Sequence, residues 1–242
     1  MLILAIDTST ATGGAALLRD GRLIGETMLS VSAVHSERLM PAVEWLLSAA
    51  GVDPSQLGAV CAGVGPGSFT GVRIAVSAAK AMAYALAVPL VGVSTLDALA
   101  AGRSAGTDVD VWSLIDARHG RCYSARYVVR ASAAEPERVS DYAIRTVDQL
   151  GVVADARLGP TLFVGDGAVA LRDAIAGRFG ERACVAEQPW ALLRPVQVGL
   201  VGAAMLARGI SHSPEALVPQ YLKASEPEIR AAAQGERAGA EI

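Results

Sequence analysis

The 242-residue sequence predicts an α/β fold, with helices laid against a mixed sheet. Three observations carry this. Apolar runs of strand length stop at turn residues, an Asp-Gly hairpin joins two early strands, and strand-like runs then alternate with segments of helical spacing.

The first run, Leu2-Ile3-Leu4-Ala5-Ile6, is apolar throughout and ends at Asp7-Thr8-Ser9, as a strand covered on both faces does. Residues 12–18 and 22–27 form a hairpin pair around Asp20-Gly21, the dipeptide that best accommodates a two-residue turn. Residues 35–50 carry Leu39, Val43, Leu46 and Leu47 at helical spacing and stop at Gly51. Ala59-Val60-Cys61-Ala62-Gly63-Val64 reads as a second buried strand. It leads into Gly65-Pro66-Gly67-Ser68-Phe69-Thr70-Gly71-Val72-Arg73 and a helix over 72–86. Residues 89–93 give another strand, and the Gly/Ala/Ser-rich stretch 100–110 reads as a linker. Beyond it, Val111-Trp112-Ser113-Leu114-Ile115-Asp116 repeats the strand-then-Asp opening and pairs with 122–129. A strand-to-turn at 162–167 and an apolar helix at 198–206 follow, so two related halves are expected. From Ser225 the composition loses apolar periodicity, and the tail 225–242 is expected to be disordered.

The totals narrow the function. A formal net charge of −3 provides no global field for nucleic acid, so RNA contact would need a local patch or a partner. Cys61, Cys122 and Cys184 are far apart and form no Cys-x-x-Cys pair, which fits reduced thiols in a cytoplasmic protein. Asp7 comes too early for a secretory signal, and Pro89 interrupts the one long apolar stretch.

The richest motif is the loop at 65–73. Its glycines and hydroxyls leave backbone N–H groups able to face an anion at a helix N-terminus. It is neither a Walker A loop, lacking Gly-Lys-Ser/Thr, nor a dinucleotide fingerprint, because Gly65, Gly67 and Gly71 are spaced one residue too long. A tight strand-to-helix turn explains the glycines equally well. Asp7, Thr8 and Ser9 could bind a metal–phosphate group, or simply cap a turn. Together the loops define a candidate nucleotide site of Asp7, Thr8, Ser9, Gly65, Gly67, Ser68, Thr70 and Gly71, both at the C-terminal ends of strands. The three histidines form no metal or nucleophile pattern, and Phe69 occupies the place of the nucleophile in a G-x-S-x-G elbow. The helix at 72–86 has almost no polar face, so it is either a core helix or an interface.

Taken in order, Asp7-Thr8-Ser9-Thr10-Ala11-Thr12, His35-Ser36-Glu37-Arg38-Leu39-Met40-Pro41, the 65–73 loop with Lys80, Asp116-Ala117-Arg118 with Tyr123, and Pro219-Gln220-Tyr221-Leu222 resemble the TsaB family of tRNA threonylcarbamoyladenosine biosynthesis. The resemblance covers residues 1 to about 223. It implies an actin/Hsp70/sugar-kinase-like (ASKHA) fold with a first lobe at 1–104 and a reduced second lobe at 105–224. It also implies a non-catalytic scaffold in the transfer of threonylcarbamoyl to N6 of the adenosine beside the anticodon. In the catalytic paralogue, TsaD, an H-x-x-x-H metal motif follows the equivalent of Gly92-Val93. Here Thr95 and Leu99 stand at those positions, and Leu ligates no metal. The implied partners are TsaD, the TsaE ATPase, a second copy in the absence of TsaD, and tRNA through the complex. The implied contact residues are His35, Leu39, Val43, Val72, Ala75, Ala78, Ala79 and Met82. No catalytic residue, metal or required cofactor is expected, and at most weak ATP or ADP binding at a vestigial loop. The alternative is a nucleotide-binding phosphotransferase or ATPase using Asp7 and the glycine loop.

Overall fold

The computed structural model describes residues 1–30, 35–102, 108–130, 136–153 and 160–222, with backbone alone at 35 and 36. The expected tail at 225–242 and the expected lobe boundary at 104/105 lie outside these residues.

The first half begins with strand β1 (Leu2–Asp7) and the hairpin β2 (Thr12–Arg19) and β3 (Arg22–Ser30). Asp20 and Gly21 both take positive φ, 50° and 76°, as the Asp-Gly pair predicts for a turn matching strand twist. Helix α1 (His35–Ala49), strand β4 (Ala59–Gly63), helix α2 (Phe69–Leu86) and strand β5 (Leu90–Val93) complete a sheet of order β3-β2-β1-β4-β5. Helix α2 starts three residues before the predicted 72, because Ser68 is its N-cap and its Oγ accepts the Gly71 N–H at 3.2 Å. Helix α3 (Thr95–Ala101) follows, taking up the start of the stretch read from sequence as linker.

The second half has strands β6 (Val109–Asp116), β7 (Cys122–Val129), β8 (Glu137–Arg138) and β9 (Ala143–Arg145), then helix α4 (Val147–Val153). Strand β10 (Thr161–Val164), helices α5 (Asp166–Ala170) and α6 (Arg172–Phe179), strand β11 (Ala183–Val185) and helix α7 (Pro195–Ala207) follow. Its sheet runs β11-β10-β6-β7-β8, with β9 also on β7.

The two sheets share one plan. In each, the opening strand pairs antiparallel with the next (β1 with β2, β6 with β7) and parallel with a later one (β1 with β4, β6 with β10). A further parallel strand closes the edge, β5 or β11. The repeat is therefore topological, although the two halves share little sequence.

Alternation along β1 explains its unbroken apolar run. Leu2, Leu4 and Ile6 pack with α1 and α2 residues, while Ile3 and Ala5 enter a second core with α3, α7 and the other sheet. Between the sheets lie α3, which packs on β6 and β7, and α7, which packs on β1, β2, β4 and β5. Gly199 and Gly202 let α7 sit close: a Cβ there would lie 2.3 Å from Leu18 Cδ1 or Cys61 Sγ. Thus the C-terminal helix returns to the first sheet, and residues 208–222 continue over its edge. The His212 N–H donates to Leu90 O at 2.7 Å, and Lys80 Nζ donates to Leu217 O at 3.1 Å.

Candidate functional site

Parallel pairing of β1 with β4 places the turn after Asp7 beside the loop after Gly63. Sequence reasoning expected these two loops to lie together, and they do. They meet directly, backbone against backbone. Ser68 N–H donates to Ser9 O at 2.7 Å. Thr8 Oγ1 donates to Gly71 O at 2.6 Å. A Cβ on Gly67 would stand 2.1 Å from Ser9 O, one on Gly71 1.9 Å from Thr8 O, and one on Gly63 1.7 Å from Asp7 Oδ2. These glycines admit the neighbouring turn of the same chain. Gly65 differs, with φ at +93° ahead of a cis bond to Pro66.

Asp7 is 1% exposed, and among the described residues no cation lies beside it. Its carboxylate accepts Ser9 N–H at 2.9 Å and Ser9 Oγ–H at 3.0 Å. Burial outweighs these bonds and pushes its pKa up to about 7. Thr95 ties the knot further: its Oγ1 donates to Ser9 Oγ at 3.1 Å and its N–H to Gly65 O at 2.9 Å. Thr8, Ser9 and Thr95 are buried, whereas Ser68 and Thr70 are exposed on the first turn of α2. Among the described residues, no three His, Cys, Asp or Glu side chains gather as a metal site.

The C-terminal segment seals the loop from the other side, a contact that sequence reasoning missed. Gln220 N–H donates to Val64 O at 2.7 Å. Tyr221 stacks on Phe69 with centroids 4.9 Å apart, and its hydroxyl accepts from Arg73 Nε at 2.9 Å. Arg73 also lies 3.9 Å over the Phe69 ring. The only sequence signal was the Pro219–Leu222 motif itself, 148 residues from Arg73. In the second half, Asp116 ends β6 as expected and accepts Arg118 N–H at 2.8 Å, the counterpart of Ser9 N–H on Asp7; its own N–H donates to Asp166 Oδ1 at 3.1 Å, and burial raises the Asp166 pKa.

The predicted contact residues divide. Leu39, Val43, Val72, Ala75 and Ala79 are at most 3% exposed, their side chains turned into the fold, and of these Val43 also lines the groove described below. The periodicity that nominated them marks the core face of each helix. Ala78 and Met82 are half-buried, and the His35 side chain lies outside the described residues. The outward faces instead present Met40, Trp45 and Tyr84, at 45, 62 and 74% exposure. Helix α2 is therefore not buried all round, as Arg73, Ser77, Ala81, Tyr84 and Ala85 face outward. A groove beside them is lined by Met40, Pro41, Leu47, Pro54 and Met82.

Comparison with known proteins agrees with this architecture. Residues 29–231 match the family model described as TsaD, tRNA N6-adenosine threonylcarbamoyltransferase. The tRNA threonylcarbamoyladenosine biosynthesis protein TsaB of Bacillus subtilis is 34% identical over 232 residues, 95% of this chain and 97% of that protein. YeaZ from Pseudomonas aeruginosa superposes with a TM-score of 0.77 at 31% identity, covering 91% of this chain and 99% of that one. A ROK hexokinase from Thermus thermophilus superposes with a TM-score of 0.50 at 13% identity, covering 86% and 100%, and so shares the fold. The expected sugar-kinase-like α/β fold is thus the observed one. With a full-length relative at this identity and a family model over most of its residues, the chain belongs to the TsaB family, within the wider TsaD group.

Proposed function

We propose that this chain is a non-catalytic partner subunit in forming N6-threonylcarbamoyladenosine beside the tRNA anticodon. It works in the cytoplasm with a TsaD-type catalytic subunit and a TsaE-type ATPase, and it pairs with itself when the former is absent. Family membership supports the pathway. One observation carries the non-catalytic part: the glycine loop is filled by the chain's own Asp7-Thr8-Ser9 turn. A phosphate seated there would have to displace Ser9 O from the Ser68 N–H. Thr95 and Leu99, where the catalytic paralogue carries histidines, are buried, with Leu99 in an apolar core. Nucleotide binding is accordingly weak and no cofactor is required.

The docking face is the outer side of α1 and α2. An exposed Trp and Tyr, on the two helices that border an apolar groove, are the residue types that anchor interfaces. tRNA is reached through the complex, in keeping with a net charge of −3. Trp45→Glu tests this. The monomer should keep its stability within about 0.5 kcal/mol, because the side chain is exposed. Association with the catalytic subunit should weaken by about 2 kcal/mol or more, roughly thirtyfold, by calorimetric titration. Unchanged association would remove this face from the interface. Sustained ATP turnover by the isolated chain, lost in Asp7→Ala, would establish the phosphotransferase reading instead.

A further inference from the structure

A cavity of about 310 Å³ opens where α3, β7, β8 and the C-terminal end of α7 meet, with no residue of the glycine loop in its wall. Its polar side is built around Asp97. The two carboxylate oxygens accept separate phenol donors, Oδ1 from Tyr127 and Oδ2 from Tyr142, both at 2.7 Å. Burial, reinforced by the Asp97 charge, holds both phenols above the usual tyrosine range, so they remain donors. Asp97 is thereby held as part of the wall.

Arg138 lies over this arrangement, its guanidinium carbon 4.0 Å from the Tyr142 ring centroid. A cation–π contact draws on the charge of the guanidinium and occupies none of its N–H donors. Among the described residues, its N–H fork donates to no acceptor. Val201, Met205 and Ile210 supply an apolar wall. A neutral ligand would leave the Arg138 fork covered without an acceptor.

We propose that this cavity binds a small organic anion, a carboxylate with a compact apolar body. The Arg138 fork takes the carboxylate in bidentate fashion and the body rests against Val201, Met205 and Ile210. The site lies between α7 and the second sheet, so an occupant fastens α7 to β7 and β8. It is independent of the glycine loop and of the proposed scaffold role.

The test is methyl NMR on the full chain, following the Met205 signal, identified by its loss in Met205→Leu. Benzoate should shift Met205 saturably with Kd near ~1 mM, the range a ligand of this size reaches. Met28 and Met40, which line no part of the cavity, should not move. Neutral benzamide and inorganic phosphate should bind at least about tenfold more weakly, as should benzoate to Arg138→Gln, for which retained circular dichroism reports folding. Equal binding of benzoate and benzamide would overturn the proposal without recourse to any variant. Tighter binding of phosphate than benzoate, or an unchanged benzoate Kd in Arg138→Gln, would also overturn it.

Discussion

Asp7→Asn should stabilise this protein at neutral and alkaline pH. The carboxyl is buried, with no cation beside it among the described residues, and its pKa rises from 3.8 to about 7. The folded state therefore holds the Asp7 proton more tightly than the unfolded chain does. Between pH ~4 and pH ~7 the folded state keeps a proton that the unfolded chain releases, so stability falls as pH rises. The contribution is fully present below the unfolded pKa and is lost once pH passes the folded value. A displacement of about 3 pH units at 1.36 kcal/mol each amounts to about 4 kcal/mol. Asparagine carries no charge and preserves the main acceptor, because its Oδ1 can still take the Ser9 N–H that Asp7 accepts at 2.9 Å. Urea denaturation of both proteins at pH 4.5, 6 and 8 isolates the term, since other titrating groups cancel in the difference. The variant should gain about 1.4 kcal/mol on wild type per pH unit up to pH ~7, then hold a constant advantage. In melting temperature the full effect is roughly 10 °C for a chain of this size. A pH-independent difference, or a variant less stable than wild type at pH 8, would refute the assignment of Asp7 as a carboxyl held at a cost by burial.

Two other changes probe the fold around the sites. Gly71→Ala places a methyl 1.9 Å from Thr8 O, so the two loops must part. The loss should be about 3 kcal/mol in chemical denaturation, and a loss below about 1 kcal/mol would show that the loops are loosely docked. In the second sheet, Arg126 Nε donates to Asp110 Oδ1 at 2.7 Å and Thr161 Oγ1 to Asp110 Oδ2 at 3.1 Å, all buried. Arg126→Met leaves the Asp110 charge uncompensated and should cost about 3–5 kcal/mol, whereas adding Asp110→Leu should recover much of it. Equal stability of the single and double variants would locate the loss in packing rather than charge.

Local pattern was enough for β1, the Asp-Gly hairpin, β4 and the core of α2, because strand alternation, turn chemistry and helical spacing act over a few residues. The short elements were illegible for the converse reason. Helix α3, with seven residues, completes under two turns, and β8, β9 and β11 are two or three residues long. They persist because longer neighbours hold them. The return of α7 to the first sheet left no local trace either, since an apolar helix does not state which sheet covers it.

The order of strands and helices up to β5, the pairing of two loops at strand ends and the family itself all follow from the amino-acid sequence, because each depends on residue type at short spacing. Which face of α1 and α2 is buried against the first sheet, and what lies against the glycine loop, were decided by tertiary structure. A glycine chosen for a phosphate and one chosen for Ser9 O look identical in sequence. Only the position of that carbonyl, 2.1 Å from where a Cβ would stand on Gly67, distinguishes them.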